Sequence, residues 1–307
     1  MNKTSRQKTV AIFYAILAAV FYAVNIPGSK VLLEKVDPMM MAALLYWGAG
    51  LGIGILYLLH GRKDTATPKL CKQDLPYTAG MVILDILAPI LLMFGLSHTT
   101  SSSASLLNNF EIVATSLIAL LLFREAVSKR LWLAIFLVTL ASSILSVEDF
   151  STLTFSWGSL LVLLATICWG MENNCTRQLA EKSTYQIIIM QGGFSGFGSF
   201  FLALGAGSDF PPLETIFPAL FLGFVAYGMS IFCYVRAQRT IGAAKTSAYY
   251  AIAPFAGAFF SFLFLKEALT LNYLIGLLIM IAGSVLVVAD TLSQPQAGEK
   301  KQEDASS

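Results

Sequence analysis

About ten apolar runs, each roughly 20 residues long, follow one another along the chain, at about 9–33, 39–59, 75–98, 101–123, 130–148, 157–180, 184–207, 215–237, 241–265 and 271–290. A helix of that length crosses a hydrocarbon core of ~30 Å. The longest polar stretches between and after them are 61–74 and 293–307, so no soluble domain is expected. The pattern predicts an all-α integral membrane protein with ten transmembrane helices.

Charge supports the count independently. With the N-terminus placed inside, the even-numbered connections and the C-terminus lie inside too. Of the 20 Lys and Arg, only Lys30, Lys35 and Lys266 then fall outside. Cytoplasmic connections of membrane proteins carry that excess, and a wrong helix count would scramble it. Both termini are therefore predicted cytosolic, in a multi-pass protein of the plasma (cytoplasmic) membrane. Composition agrees: 12% charged residues, against about 25% in soluble domains. The first run continues well past the length of a signal-peptide core and reads as an uncleaved first span. Residues 291–307 read as a disordered cytosolic tail. The four cysteines show no paired spacing, and no cofactor, metal site or nucleic-acid partner is expected.

The chain also repeats itself. An offset of 142 aligns Glu125 with Glu267, Arg124 with Lys266, Ala126 with Ala268 and Ser142 with Ser284. An offset of 147 aligns Lys30 through Lys35 with Arg177 through Lys182, and places Asn25 opposite Glu172 and Tyr22 opposite Trp169. This divides the protein into five-helix units at 8–148 and 156–290. Five is odd, so the second unit crosses the membrane upside down relative to the first. Inverted repeats of this kind build secondary transporters whose halves rock about a midplane site.

The segment Phe262-Leu-Phe-Leu-Lys-Glu267-Ala-Leu-Thr270, followed by Gly276 and Gly283, closely resembles the helix-closing motif of the EamA-type drug/metabolite transporter superfamily. Ala253-Pro254-Phe255 and Trp169-Gly170 fit the same family, and the likeness covers nearly all of residues 10–290. The first copy departs from the pattern: Ile112 stands where the family often has proline, and Tyr22-Ala23 replaces the usual Trp-Gly. The resemblance implies a cavity lined by the first, third, fourth, sixth, eighth and ninth helices. It leans toward export of amino acids or related metabolites and says little about which one.

Ionisable residues in mid-membrane cost at least ~2.5–3.5 kcal/mol each on insertion scales, which makes them functional candidates. Asp85, Glu111 and Glu172 lie away from the span ends, with no Lys or Arg at similar depth. Either they are neutral or something cationic visits them. Glu111 follows Asn108-Asn109-Phe110, so Asn108 and Glu111 share a helix face about one turn apart. Glu172 belongs to Trp169-Gly-Met-Glu-Asn-Asn174, the densest polar cluster in any span, where Trp169 and Asn173 share its face. Asn25 lies two residues before Pro27 and Asp85 four before Pro89, each beside a helix-weakening proline. Tyr249 and Tyr250 offer hydroxyls and rings near Pro254. The expected substrate or coupling site is thus Asn25, Asp85, Asn108, Glu111, Trp169, Glu172, Asn173 and Tyr249. Each has a bland alternative as a kink or as polar glue between helices. Glycine is concentrated in the second span (Gly48, Gly50, Gly52, Gly54) and the seventh (Gly192, Gly193, Gly196, Gly198), for packing within a monomer or along a homodimer seam.

These features favour a secondary active transporter, an exporter working by alternating access on small organic metabolites, amino acids or amine-bearing solutes, with proton coupling open. No Walker A pattern is present, so ATP does not drive it directly. The rivals are a membrane-embedded enzyme and a small-cation or drug efflux protein. The enzyme is disfavoured because His60 and His98 are the only histidines and no HExxH or repeated acidic motif exists.

Overall fold

A computed structural model describes residues 3–60, 68–123, 128–149, 154–179, 182–241 and 243–293. The predicted tail beyond Ser293, and the motif residues Arg124 and Glu125, lie outside them. Ten helical stretches follow in chain order. They are α1 (Lys3–Ala23 continuing as Asn25–Leu32), α2 (Pro38–His60), α3 (Leu75–Ser97), α4 (Ser101–Leu107 continuing as Phe110–Phe123) and α5 (Lys129–Ser146). After them come α6 (Trp157–Arg177), α7 (Thr184–Gly205), α8 (Leu213–Ile241), α9 (Ala243–Tyr250 continuing as Ala253–Leu265) and α10 (Leu271–Ser293). Each overlaps its apolar run. A two-stranded antiparallel ribbon, β1 (Val147–Asp149) with β2 (Thr154–Phe155), joins α5 to α6 and has no counterpart in the sequence reading.

Among the described residues, nine helices are long and apolar enough to cross a membrane. The exception is α6, which has the length, at 21 residues, but carries Glu172, Asn173 and Asn174 near its end. In a bilayer only closed hydrogen-bonding structures can cross, which is why apolar runs of this length become helices. The outward faces are large and apolar: Leu121, Phe217, Leu278 and Phe201 stay mostly exposed. The inward faces hold the small and polar residues, Ala15, Ala18, Ala141, Ser142, Ser199 and Asn25, among large apolar ones such as Met40, Leu45 and Leu92. Such inside-out sorting suits a protein whose surroundings are lipid and whose helices associate through close packing.

The helix pairing has a simple order. The main contacts join α3 to α6, α1 to α8, α4 to α6, α1 to α9, α5 to α10, α2 to α7, α4 to α9 and α2 to α8. Exchanging α1–α5 for α6–α10 carries the α3–α6 contact onto α8–α1 and α4–α6 onto α9–α1. It leaves α2–α7, α4–α9 and α5–α10 unchanged, whereas α2–α8 maps onto the lesser contact of α7 with α3.

One end of the bundle is tied by polar contacts. Lys266 ends α9 with φ 52°, a left-handed turn more usual for glycine at a helix C-terminus. The turn delivers Glu267 to the start of α4, where its two carboxylate oxygens accept from the backbone N–H of Ser101 (2.7 Å) and Ser102 (2.8 Å). A carboxylate suits a helix N-terminus because the first N–H groups have no partner within the helix. Ser101 and Ser261 hydroxyls meet at 2.7 Å, and Lys30 donates to the carbonyls of Leu96 (2.5 Å) and Thr99 (2.8 Å). Glu267→Ala is expected to lower stability by about 1–2 kcal/mol, discounted for partial exposure, with Glu267→Gln in between. Thermal unfolding in detergent measures it; equal midpoints for all three proteins would mean that the carboxylate does not tie α9 to α4.

Candidate functional site

The irregular positions of the helices gather around one cavity. Pro27 lacks an N–H and its ring crowds the Ala23 carbonyl, and α1 breaks at Val24. Pro254 does the same to the Tyr250 carbonyl, and α9 breaks at Ala251–Ile252. In α4 the break at Asn108–Asn109 has no proline. There the Asn109 side-chain amide donates to the Leu106 carbonyl at 3.2 Å, while Glu111 N–H and Ile112 N–H bond three residues back instead of four. Helices α7 and α8 each widen into a π turn, at Gln191–Ser195 and Phe224–Met229. π turns cost hydrogen-bond geometry and concentrate at functional sites.

The cavity has a volume of about 240 Å³. Three carboxylates from three helices reach its wall: Asp85 of α3, Glu111 of α4 and Glu172 of α6. Asp85 is almost fully buried; its Oδ1 accepts from the Tyr46 hydroxyl at 2.7 Å, and its Oδ2 has no partner. Glu172 Oε1 accepts from the Thr176 hydroxyl and from Gln191 Nε2 (3.1 Å). Glu111 Oε1 accepts from Asn173 Nδ2 at 2.7 Å. Asn108 donates to the Tyr22 hydroxyl (3.4 Å), and the Oδ1 atoms of Asn108 and Asn109 are buried without partners. Aromatic rings complete the wall. Tyr227 lies 5.3 Å from Tyr46 and 6.2 Å from Tyr22 between ring centres, and Tyr250 lies 5.9 Å from Tyr22. No Lys, Arg or His lines the cavity among the described residues. Nor do any three His, Cys, Asp or Glu side chains gather closely enough to hold a metal ion among them.

Of the eight residues expected from sequence, Asp85, Asn108, Glu111, Trp169 and Glu172 line this cavity. Asn25 does not; it stands behind the wall and donates to the Tyr227 hydroxyl at 3.1 Å. Asn173 lies in an adjoining cavity of about 610 Å³, which shares Glu111 and Tyr250 with the central one and extends to Arg177. Tyr249 does not line the cavity either. It points outward, 39% exposed, and its neighbour Tyr250 takes the place on the wall. Tyr46 and Gln191 were not foreseen, nor were their helices α2 and α7 among the lining set. Gln191 had a legible signal, an amide inside an apolar run. Tyr46 had none, since a tyrosine in mid-span reads as ordinary packing.

At the tied end of the bundle a third, polar cavity of about 450 Å³ is lined by Lys30, His98, Thr100, Ser156 and Asn272, among others, and shares no residue with the central one. The central cavity thus shares wall residues with its neighbour on the Arg177 side and none with the cavity beside Lys30.

Residues 9–147 and 156–289 each match the EamA-like transporter family. The chain belongs to that family. A protein of Methanothermobacter thermautotrophicus named as an uncharacterized transporter is 28% identical over 87% of this chain and 83% of its own length. A second, from Clostridium kluyveri, is 23% identical over 89% of this chain and 91% of its own. The uncharacterized transporter YyaM of Bacillus subtilis is 22% identical over 83% of this chain and 87% of its own. A solved crystal structure at 12% identity superposes with a TM-score of 0.65 over 95% of this chain and 99% of that one, a likeness of fold. This EamA-like protein is a multi-pass membrane transporter, and its family and relatives point away from an enzyme.

Proposed function

We propose that this EamA-like protein is a secondary active transporter that exports small organic metabolites, amino acids or amine-bearing solutes, by alternating access. The observation that carries the reading is the convergence of Asp85, Glu111 and Glu172 on a cavity without a basic residue, at the breaks and π turns of the surrounding helices. Three carboxylates in that setting need protons or a cationic guest. They therefore supply both a binding site and a means of proton coupling. Asn108 and Trp169 serve the site directly in this reading, while Asn25 and Asn173 act through Tyr227 and Glu111. Tyr250 takes the role first assigned to Tyr249.

Residues 8–148 and 156–290 act, in this proposal, as inverted five-helix repeats. The exchange symmetry of the helix contacts and the pairing of the α4 break with the α9 break support it. Both termini are assigned to the cytosol of the plasma (cytoplasmic) membrane on the distribution of Lys and Arg. The Arg177 end of the central cavity then faces the cytosol, the side from which an exporter loads.

The test compares the medium of cells with and without the protein for secreted amines and amino acids. Each hit is then loaded into proteoliposomes with an imposed pH gradient. Solute movement that speeds with the gradient, and collapses with it, is the expected result. A panel in which no solute moves, with or without the gradient, would remove the transporter reading of this cavity.

A further inference from the structure

We propose that the central cavity binds a small primary ammonium on an apolar body, and rejects solutes that also carry a carboxylate. The inference rests on the transporter reading above and narrows its solute.

Three buried side-chain atoms at the wall lack a hydrogen-bond partner: Asp85 Oδ2, Asn108 Oδ1 and Asn109 Oδ1. With Asp85 ionised, all three are acceptors. The other unpartnered buried polar atoms among the described residues, Trp47 Nε1 and five hydroxyls, belong to residues away from this wall. The unmet demand among the wall residues is therefore for donors. A primary ammonium offers three N–H donors and no acceptor, the complement of that set. A hydroxyl would answer one of the three acceptors. A carboxylate would bring more acceptors, and a negative charge, to a wall that already holds Asp85, Glu111 and Glu172 and no Lys, Arg or His. An amino acid meets the ammonium half of this chemistry and is opposed on the other half.

The rest of the wall describes the body of the guest. Tyr22, Tyr46, Trp169, Tyr227 and Tyr250 contribute rings, and Ala49, Ala226, Ile188 and Ile231 small or branched apolar surface. Ring faces attract cations and also cover apolar groups. At about 240 Å³ the cavity is below the ~300–1,000 Å³ of pockets for drug-sized ligands. That size fits a compact amine within the central cavity itself.

The test uses phenethylamine and phenylalanine, which differ only in the carboxylate, on the purified full-length protein in detergent. Binding of each is measured by titration calorimetry, independently of flux. Phenethylamine is expected to bind at least about ten-fold more tightly than phenylalanine. Asp85→Asn and Asn108→Leu, which keep side-chain volume, should each weaken phenethylamine binding by about ten-fold. If one variant does not fold, the other reads the same acceptor set. Equal or tighter binding of phenylalanine, no binding of phenethylamine, or undiminished binding in the folded variants each overturns the inference. Flux separates it from the reading beneath. Phenethylamine bound but never moved removes transport and leaves the ammonium site. Phenylalanine moved with no amine bound does the reverse.

Discussion

Glu172→Gln protein should reach the membrane at wild-type levels yet fail to accumulate its solute against a gradient. The inside-to-outside ratio is expected to settle at equality, with solute-for-solute exchange retained because exchange needs no net proton release. Glu172 is buried, bonded to Thr176 one turn on and to Gln191 across the α6–α7 interface. Glutamine keeps the volume and an acceptor oxygen for both donors, so the packing survives while the titratable group is lost. Removing an ionisable group from mid-membrane relieves a cost of ~2.5–3.5 kcal/mol or more, so no loss of fold is expected. Glu111→Gln should share the defect, since Glu111 stands where the central and adjoining cavities meet. Whichever variant removes the coupling group should also flatten the pH dependence of transport in proteoliposomes. Normal accumulation by both variants at every pH would make these carboxylates structural.

Gly48→Ala is expected to destabilise the protein strongly, and Gly54→Ala in the same helix to leave it unharmed. A Cβ on Gly48 would sit 2.0 Å from the Leu220 carbonyl oxygen of α8, and one on Gly223 of α8 would sit 2.0 Å from the Leu45 carbonyl oxygen of α2. Gly192 meets Gly50 in the same way across the α2–α7 crossing, at 2.3 Å from its Cα. These neighbours are backbone and cannot rotate aside, so the helices must part. Overpacking of this kind costs about 1–3 kcal/mol and sometimes more. At Gly54 an added Cβ has open space, and alanine gains about 0.5–1 kcal/mol through lower backbone freedom. Thermal unfolding in detergent should therefore order the proteins as Gly54→Ala at or above wild type, with Gly48→Ala and Gly192→Ala below it. A Gly48→Ala protein as stable as wild type would show that the α2–α8 crossing is not held at this distance. The same contacts assign Gly48, Gly50 and Gly192 to packing within the chain.

The comparison of Gly48 with Gly54 shows where reading a sequence stops. Both sit in one small-residue pattern, and only the neighbours of α2 distinguish them. Tyr249 and Tyr250 differ likewise by a single step, about 100° of helix rotation at 3.6 residues per turn, and only Tyr250 lies on the cavity wall. Asn25 looked like a wall residue because Pro27 weakens its helix. The hydroxyl of Tyr227, 202 residues away, takes its amide and occupies the wall instead.

The sequence by itself determined the number and extent of the apolar runs, the all-helical membrane class and the acidic, base-free character of the interior. It could do so because a hydrocarbon core sets helix length and penalises every stray charge, and both demands act on each segment separately. The tertiary structure alone decided the rest: that Asp85, Glu111 and Glu172 share one cavity, that Tyr46 and Gln191 join them from α2 and α7, and that three acceptors there go unmatched. Those outcomes depend on how far each helix is rotated and where it breaks or widens, quantities set by the neighbours it packs against.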